Sequence, residues 1–333
     1  MAETFADFFT DKIAKIRETF EAEQDGYVEH ASDDTHSVPT ILSPTTDSEL
    51  RKVILGGNSK SCQLDPLPTQ LLKSSLDTLL PVLVKIVNTS LSSAFIPTSL
   101  KSATVTPLLK KPSLNQEDLK NYRPVSNLPY VSKLIEKIVV RRLNAHMAEN
   151  NLHEHYQSAY RVFHSVETAL LKVHNDICQA VDKKQCIFLV LLDLSAAFDT
   201  VEHSVLLGRF EESLGISGQA LEWCHSYFMD RYQSVSILAA SSSPRPLTSG
   251  MPQGSGVCPF GFPSYTKPVG EICKNHNIAY HLYADDSQLF LAFDPSDKQD
   301  AIQRLEACIQ EIREWMKKNC LKLNDTKTEF LAI

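Results

Sequence analysis

The sequence predicts an α+β fold, because segments with helical spacing of apolar residues alternate with short strand-like runs. The run 187–192 is continuously apolar and short, as in a strand buried on both faces. Residues 280–293 form two apolar runs around a central acidic pair, which is typical of a hairpin. Residues 302–316 carry an apolar stripe at helical spacing, which predicts one long packed helix.

The remaining elements follow from the same patterns, taken in chain order. The spacing of apolar residues over 5–22 predicts an amphipathic helix, and the Ser-, Thr-, Asp- and Pro-rich segment 33–47 predicts a flexible linker. Pro97 is expected to close the helix that precedes it. Further helices are predicted over 79–95, 132–147, 166–181 and 221–228, and further strands over 105–109 and 233–237.

The bulk composition excludes several classes of protein. A chain of 333 residues that is 43% hydrophobic can bury a sizeable core and is expected to hold more than one subdomain. It contains no apolar run long enough to span a membrane, and its first residues do not resemble a signal peptide. Eight scattered cysteines without a Cys-x-x-Cys pair argue against zinc and favour free thiols in a reducing compartment.

The net charge of −7 argues against a generic nucleic-acid binder, but the charge is unevenly distributed. Residues 1–60 hold 12 acidic and 6 basic side chains, whereas residues 101–142 hold 9 basic and 3 acidic ones. The basic segment is either ordinary solvated surface or an electrostatic track for phosphates. The residues predicted for such a track are Lys110, Lys111, Arg123, Arg141 and Arg142.

Three carboxylates are the candidate catalytic centre. Asp285 and Asp286 repel each other at the tip of the predicted hairpin, so they form either a solvated turn or half of a divalent-metal site. Asp193 follows the apolar strand 187–192, where core packing does not explain a carboxylate. Clustered carboxylates suit two Mg²⁺ ions, with Mn²⁺ as a substitute, and such a pair stabilises the attacking and leaving oxygens of a phosphoryl transfer.

The sequence around these carboxylates resembles that of reverse transcriptases. The motif order is Asp-x-x-x-Ala-Phe-Asp from Asp193, Gly-x-Pro-Gln-Gly-Ser from Gly250, and Tyr-Ala-Asp-Asp from Tyr283. The flanking segments are similar to the non-LTR (LINE-type, jockey-like) retrotransposon branch, at 121–129, 157–161, 167–170 and 315–329. The resemblance extends from about residue 50 to the end of the chain.

This resemblance implies a polymerase palm-and-fingers (right-hand) fold with an antiparallel palm sheet and packed helices. The implied domains are an acidic N-terminal helix and linker at 1–60, an N-terminal extension with fingers at 61–185, and a palm at 186–333. Because the chain ends at Ile333, the resemblance also implies that the thumb is missing.

The implied activity is RNA-directed DNA synthesis by two-metal nucleotidyl transfer onto a primer 3′-hydroxyl. The implied partners are an RNA template, a DNA primer and deoxynucleoside triphosphates, with no membrane, in the nucleus or cytoplasm. The chain is then either an intact domain or a truncated, decayed copy of one. The alternative is a catalytically inactive nucleic-acid-binding or scaffold remnant that keeps a palm fold.

The resemblance also assigns residue roles. Asp193 and Asp285 would ligate metal, Asp286 would ligate or support them, and Leu194 would offer its backbone carbonyl. Phe198 is either the floor beneath the incoming sugar or a core residue, and Tyr283 is either core or a contact to the primer end. Arg161 would bind the triphosphate, and Gln253 and Gly254 would contact nucleotide and template. Ala284 would support the active site, and Lys327 is either a general acid or an ordinary exposed lysine.

Two segments depart from the family pattern. Residues 159–165 read Ala-Tyr-Arg-Val-Phe-His-Ser, where the family commonly has Gly-Phe-Arg-Pro-Gly-His-Ser. Residues 256–263 contain two glycines and an extra proline where the family usually runs on as a helix. We expect this composition to weaken that helix, by about 1 kcal/mol per glycine and about 3 for an interior proline.

Overall fold

The computed structural model describes residues 1–21, 40–59 and 61–333. The chain divides into two compact units. The first comprises Met1–Lys15, Glu29–Leu152 and His203–Cys258, and the second comprises Ile16–Val28, His153–Glu202 and Pro259–Ile333. Among the described residues no helix combines the length and the apolar character that crossing a membrane requires.

The fold is mixed α and β with mostly antiparallel strands, which confirms the predicted class. The helices are α1 (Ala2–Glu21), α2 (Asp47–Gly56), α3 (Thr69–Ser74), α4 (Leu76–Ser92), α5 (Tyr130–Glu149), α6 (Val166–Asp182), α7 (His203–Glu212), α8 (Gly218–Phe228), α9 (Cys258–Thr266), α10 (Pro268–Asn275) and α11 (Lys298–Lys318). The strands are β1 (Ser102–Leu109), β2 (Tyr122–Asn127), β3 (Cys186–Leu192), β4 (Tyr232–Ile237), β5 (Ala240–Ser241), β6 (Arg245–Pro246), β7 (Ala279–Tyr283), β8 (Asp286–Phe293) and β9 (Glu329–Ala332).

The first unit is built on a sheet in the order β2-β1-β4-β5, with β6 also paired to β4. Strands β1 and β4 run parallel, and the other pairs are antiparallel. Phe5 and Phe9 of α1 pack in a buried cluster with Val105 and Val235, and the ring of Tyr122 meets Phe5 edge-on at 4.9 Å. The predicted amphipathic helix is thus confirmed, and its apolar face covers the sheet.

The second unit contains an antiparallel sheet in the order β7-β8-β3-β9. The apolar strand β3 lies between β8 and β9, as expected for a strand without polar alternation. Helix α6 packs against β3 and β7, and α11 packs against β8. Strands β7 and β8 form the predicted hairpin, with Tyr283 opposite Asp286.

Most sequence-predicted elements are present with shifts of a few residues at their ends. The helix predicted over 79–95 is α4, which ends at Ser92, before Pro97. Residues 33–39 of the segment predicted as a linker, 33–47, lie outside the described residues.

The segment that departs from the family pattern at 256–263 still forms a helix, α9, with Pro263 inside it. The Ser255 hydroxyl accepts a hydrogen bond from the backbone N–H of Cys258 at its first turn. Phe260, Phe262 and Tyr265 are buried, so tertiary packing stabilises a helix that its propensities disfavour. The expected weakening therefore does not prevent the helix from forming.

Helices α2 and α5 are joined by an ion pair within the first unit. The Arg142 guanidinium donates to both carboxylate oxygens of Glu49, at 2.8 and 2.6 Å. Hydrogen bonds from Arg142 and Thr45, together with the charges of Arg142 and Arg141, outweigh burial and lower the pKa of Glu49 from 4.5 to about 2. Arg142, predicted for a nucleic-acid track, is therefore engaged in holding two helices together.

The Glu49–Arg142 pair should make the stability of the first unit depend on acid pH. Because the pKa of Glu49 is depressed on folding, its contribution is complete above pH 4.5 and is lost as the pH falls toward about 2. Glu49→Gln should lower the free energy of unfolding by about 1 kcal/mol at neutral pH, with a difference that shrinks toward pH 2. Urea unfolding of both proteins across this pH range measures the difference in the free energy of unfolding. Asp77→Asn, which removes the exposed Arg51–Asp77 pair, is the control and should change little.

Two residues of the departing segment 159–165 have left-handed backbone conformations. Tyr160 has a φ of +61° and Phe163 a φ of +64°. Position 163 is one of the two where the family commonly has glycine, and glycine adopts this conformation without strain. The Phe163 side chain is 97% exposed, so burial does not offset the strain.

Phe163→Gly should therefore stabilise the chain by about 1 kcal/mol, because it removes left-handed strain without removing buried surface. Urea unfolding midpoints of the two proteins measure the change. Val162→Gly is the matched control, since Val162 is also largely exposed and is not among the residues with positive φ. The control should be neutral or destabilising. A Phe163→Gly protein less stable than the parent would show that the aromatic side chain contributes more than its backbone strain costs.

Candidate active site

The pairing of the second sheet brings the three candidate carboxylates to one end of it. Leu192 of β3 lies opposite Ser287 of β8, so Asp193 follows directly beside the start of β8. Asp286 begins β8, and Asp285 lies in the two-residue turn that joins β7 to β8. Asp193 and the Asp285–Asp286 pair, far apart in sequence, thus become neighbours through strand register.

The hairpin turn is held by a residue to which the sequence analysis assigned no role. Ala284 has a φ of +56°, and its backbone N–H donates to the side-chain oxygen of Gln157 at 3.1 Å. The same oxygen accepts from the N–H of Ala159 at 2.9 Å, and Gln157 is buried. Gln157 therefore ties the segment around Arg161 to the turn that carries Asp285. Its place in a family-like motif was the available signal.

The carboxylates share one electrostatic field. Burial raises the pKa of Asp285, and the negative charges of Asp286 and Asp193 raise it further, while Lys327 opposes them. Burial also raises the pKa of Asp286, with Asp193 adding to the effect and Lys327 again opposing. A cation placed among these groups would relieve both the repulsion and the cost of burial.

Lys327 supplies part of that positive charge. Its Nζ lies 3.0 Å from Oδ2 of Asp193, and the side-chain amide of Asn324 donates to the same oxygen at 3.0 Å. Among residues 1–21, 40–59 and 61–333, no group of three His, Cys, Asp or Glu side chains is arranged to hold a metal ion. The sheet end thus presents interacting carboxylates and one ammonium group.

The residues next to Asp193 are packed as follows. Leu194 is buried and forms an antiparallel bridge with Leu323. The ring of Phe198 is half-buried and lies 4.4 Å, centroid to centroid, from the buried ring of Phe262. Phe198 thus has one side in the core and part of its surface accessible. Tyr283, at the end of β7, is also half-buried.

Arg161 is turned onto its own loop. Its Nη1 donates to the backbone carbonyls of Glu154, Gln157 and His155 at 3.0, 3.2 and 3.4 Å. The guanidinium must leave some of these acceptors before it can bind a triphosphate in the bidentate manner expected of it.

The Gln253–Gly254 turn lies in the first unit and is tight, as its sequence predicts. The N–H of Ser255 donates to the carbonyl of Pro252 at 2.9 Å, and the carbonyl of Gln253 accepts from the N–H of Ser126 at 2.8 Å. Gly254 has a φ of +114°, and a Cβ there would lie 2.7 Å from the Ser126 carbonyl oxygen. Only glycine fits this position without a shift of the backbone.

The predicted basic track is divided in the structure. Arg142 binds Glu49, and Arg141 lies 3.7 Å from the same carboxylate. Lys110 donates to the carbonyl of Lys120, while Lys111 and Arg123 are exposed. Arg142 is therefore part of a structural contact, whereas the exposed Arg141 leaves this group with one positive charge more than Glu49 neutralises.

A different part of the first unit concentrates positive charge around a cavity of about 590 Å³. Lys133, Lys137 and Tyr130 line it together with Gly254. Burial lowers the pKa of Lys137, and the neighbouring charges of Arg141, Lys133 and Lys73 lower it further. The buried hydroxyl of Tyr130 has no hydrogen-bond partner among the described residues. The cavity therefore offers donors and positive charge to an anion.

Comparison with known proteins agrees with the motifs. The family described as reverse transcriptase (RNA-dependent DNA polymerase) matches residues 109–332. The chain is 30% identical over 256 residues to the probable RNA-directed DNA polymerase from transposon BS of Drosophila melanogaster, which covers 74% of this chain and 27% of that protein. It is 28% identical over 218 residues to the RNA-directed DNA polymerase from mobile element jockey of the same species, covering 63% and 23%.

A third relative, the probable RNA-directed DNA polymerase from transposon X-element of Drosophila melanogaster, is 22% identical over 329 residues, covering 97% of this chain and 36% of that protein. The chain spans between 23% and 36% of the length of these three relatives. The family match includes all three candidate carboxylates and most of the chain. The chain belongs to the reverse transcriptase (RNA-dependent DNA polymerase) family, in its non-LTR retrotransposon branch.

Proposed function

We propose that this chain is the palm and fingers of an RNA-directed DNA polymerase, with an N-terminal extension and the fingers in residues 61–185 and the palm in residues 186–333. It would join deoxynucleoside triphosphates to a primer 3′-hydroxyl under the direction of an RNA template. The observation that carries the proposal is the set of Asp193, Asp285 and Asp286 at one end of the second sheet, within one electrostatic field.

The chemistry of these donors fits divalent cations. Hard oxygen ligands suit Mg²⁺, and the raised pKa values of Asp285 and Asp286 reflect burial first and neighbouring negative charge second, both of which a cation would offset. The three aspartates and the Leu194 carbonyl would hold two ions, which supply charge stabilisation to the attacking and leaving oxygens. Lys327 would first have to release Asp193, because it now donates to one of the carboxylate oxygens.

The chain's own residues would bind and orient the nucleotide. Phe198, fixed by its contact with Phe262, would exclude a 2′-hydroxyl from the sugar position. Arg161 would bind the triphosphate after leaving its loop carbonyls. The Gln253–Gly254 turn would lie against nucleotide and template, Tyr283 and Ala284 would support the primer end, and Lys327 would give a proton to the leaving pyrophosphate.

Phosphates of the nucleic acid would bind to the positive groups of the first unit. Lys110, Lys111, Arg123 and the exposed Arg141 are the candidates, Arg142 would contribute beside its ion pair with Glu49, and the cavity lined by Lys133 and Lys137 adds further cationic donors. Because insertion of such DNA requires chromosomal access, we propose action in the nucleus or, for the synthesis alone, in the cytoplasm.

A second candidate is a nucleic-acid-binding remnant without catalysis. It is favoured by one specific observation, the Lys327–Asp193 ion pair, together with the lack of a ready three-ligand metal group among the described residues. The two candidates predict the same binding to nucleic acid and differ in the need for metal.

Primer extension on an RNA template separates the two candidates. Wild-type chain in Mg²⁺ should extend the primer, and a chelator should abolish the reaction. Asp285→Asn should lower the rate by about a thousandfold, because one metal ligand and its charge are lost. Asp182→Asn, an exposed aspartate at the end of α6, is the matched control and should retain the wild-type rate. RNA binding that persists in the chelator, with no extension in Mg²⁺, would instead support the remnant.

Phe198→Ala tests the assignment of the sugar site. Removing the ring should raise incorporation of ribonucleotides relative to deoxyribonucleotides by about tenfold, because the 2′-hydroxyl is no longer excluded. Competition between the two nucleotides in primer extension measures the ratio. Phe330→Ala, which truncates an exposed ring on β9, should leave it unchanged. An unaltered ratio in the Phe198 variant would make Phe198 a core residue.

A further inference from the structure

Glu136 on α5 is a fully buried carboxylate to which the proposed reaction gives no role. Burial of a carboxylate is costly unless hydrogen bonds or charges compensate it. Within the first unit, its Oε1 accepts hydrogen bonds from the hydroxyls of Ser132 at 3.1 Å and Tyr227 at 3.2 Å. Its Oε2 accepts one from the backbone N–H of Gly256 at 2.6 Å.

The charge of this carboxylate is balanced by a buried arginine. Burial raises the pKa of Glu136, and the positive charge of Arg231 opposes that rise. Arg231 is itself buried, donates to the carbonyl of Tyr227 at 2.9 Å and lies 4.4 Å from the centroid of the Tyr227 ring. Glu136, Tyr227 and Arg231 thus form one buried polar cluster.

Gly256 is packed tightly on Glu136. A Cβ at position 256 would lie 3.2 Å from Cβ of Glu136 and 3.4 Å from its Oε2. The N–H of Gly256 comes directly after the turn formed by Pro252 and Ser255, whose other side is bonded to Ser126 of β2. Two hydrogen bonds therefore fix the turn. The carbonyl of Gln253 accepts from the backbone of β2, and the N–H of Gly256 donates to the buried side chain of Glu136.

We propose that Glu136 is a positioning residue for nucleotide binding, which sets the backbone of the Gln253–Gly254 turn through its hydrogen bond to Gly256. The inference rests on the proposed function, which assigns that turn to the nucleotide and template. Glu136 does not touch the nucleotide itself; it acts by restricting the turn that does.

The expected effect is on nucleotide binding more than on the chemical step. Glu136→Gln keeps the side-chain volume but removes the charge and one of the two acceptor oxygens, so the hydrogen bond from the Gly256 N–H is weakened and the turn is held less firmly. The KM for a deoxynucleoside triphosphate should rise about tenfold, with kcat changed by less than about threefold. Glu149→Gln, which alters an exposed glutamate on the same helix, is the matched control and should change neither constant.

Two further measurements keep the test decisive if Glu136→Gln folds poorly. Gly256→Ala leaves Glu136 intact and crowds the same contact, so it should also raise KM. Hydrogen exchange of the Gly256 amide in the full chain should be slow in the wild type and faster in Glu136→Gln, because the buried hydrogen bond is weakened.

The outcomes separate this inference from the proposed function. A wild-type chain that does not extend primers overturns the proposed function and, with it, the role of Glu136 in nucleotide binding. If the wild type extends primers, unchanged KM values in folded Glu136→Gln and Gly256→Ala overturn only the positioning role. A tenfold rise in KM with faster exchange at Gly256 supports the inference.

Discussion

The candidate site depends on the register between β3 and β8. Seven residue pairs run from Cys186 opposite Phe293 to Leu192 opposite Ser287, and this pairing determines where Asp193 falls relative to the hairpin turn. Side chains alternate between the two faces of a sheet, so a slip by one residue would move Asp193 to the other face, away from Asp285. The register is well determined because β3 is buried along most of its length, and a slip would also misplace its apolar side chains.

The negative charge of the aspartates at the end of the second sheet is partly offset by Lys327. Burial and the charges of Asp286 and Asp193 raise the pKa of Asp285, burial and Asp193 raise the pKa of Asp286, and Lys327 opposes both shifts. Oδ2 of Asp193 accepts hydrogen bonds from both Lys327 and Asn324, and Asn324 lies in the segment that precedes β9. An ion pair of this kind is weakened by solvent, so a divalent cation with oxygen ligands can replace it at modest cost.

Several polar side chains of the described residues hold backbone segments in place. Gln157 holds the hairpin turn, Arg161 binds carbonyls of its own loop, and Glu136 holds the turn that precedes α9. Loops that carry function need such contacts, because their own residues bury too little apolar surface to fix a conformation. Phe163 shows the opposite case, in which a side chain without burial occupies a strained backbone position.

The sequence alone predicted most of the longer helices and strands, the three candidate aspartates and the family resemblance. Apolar periodicity indicates which face of a segment is buried, and the motifs around Asp193 and Asp285 can be recognised directly in the amino-acid sequence. Only the tertiary structure decided which charged residues are already engaged, as Arg142 is with Glu49 and Arg161 is with its loop carbonyls. It also decided that α9 forms around Pro263 and that Glu136 is buried with three donors. Such ion pairs and buried hydrogen bonds join residues that are far apart in the chain. Burial can outweigh local helix propensity, but only after those distant residues have come together.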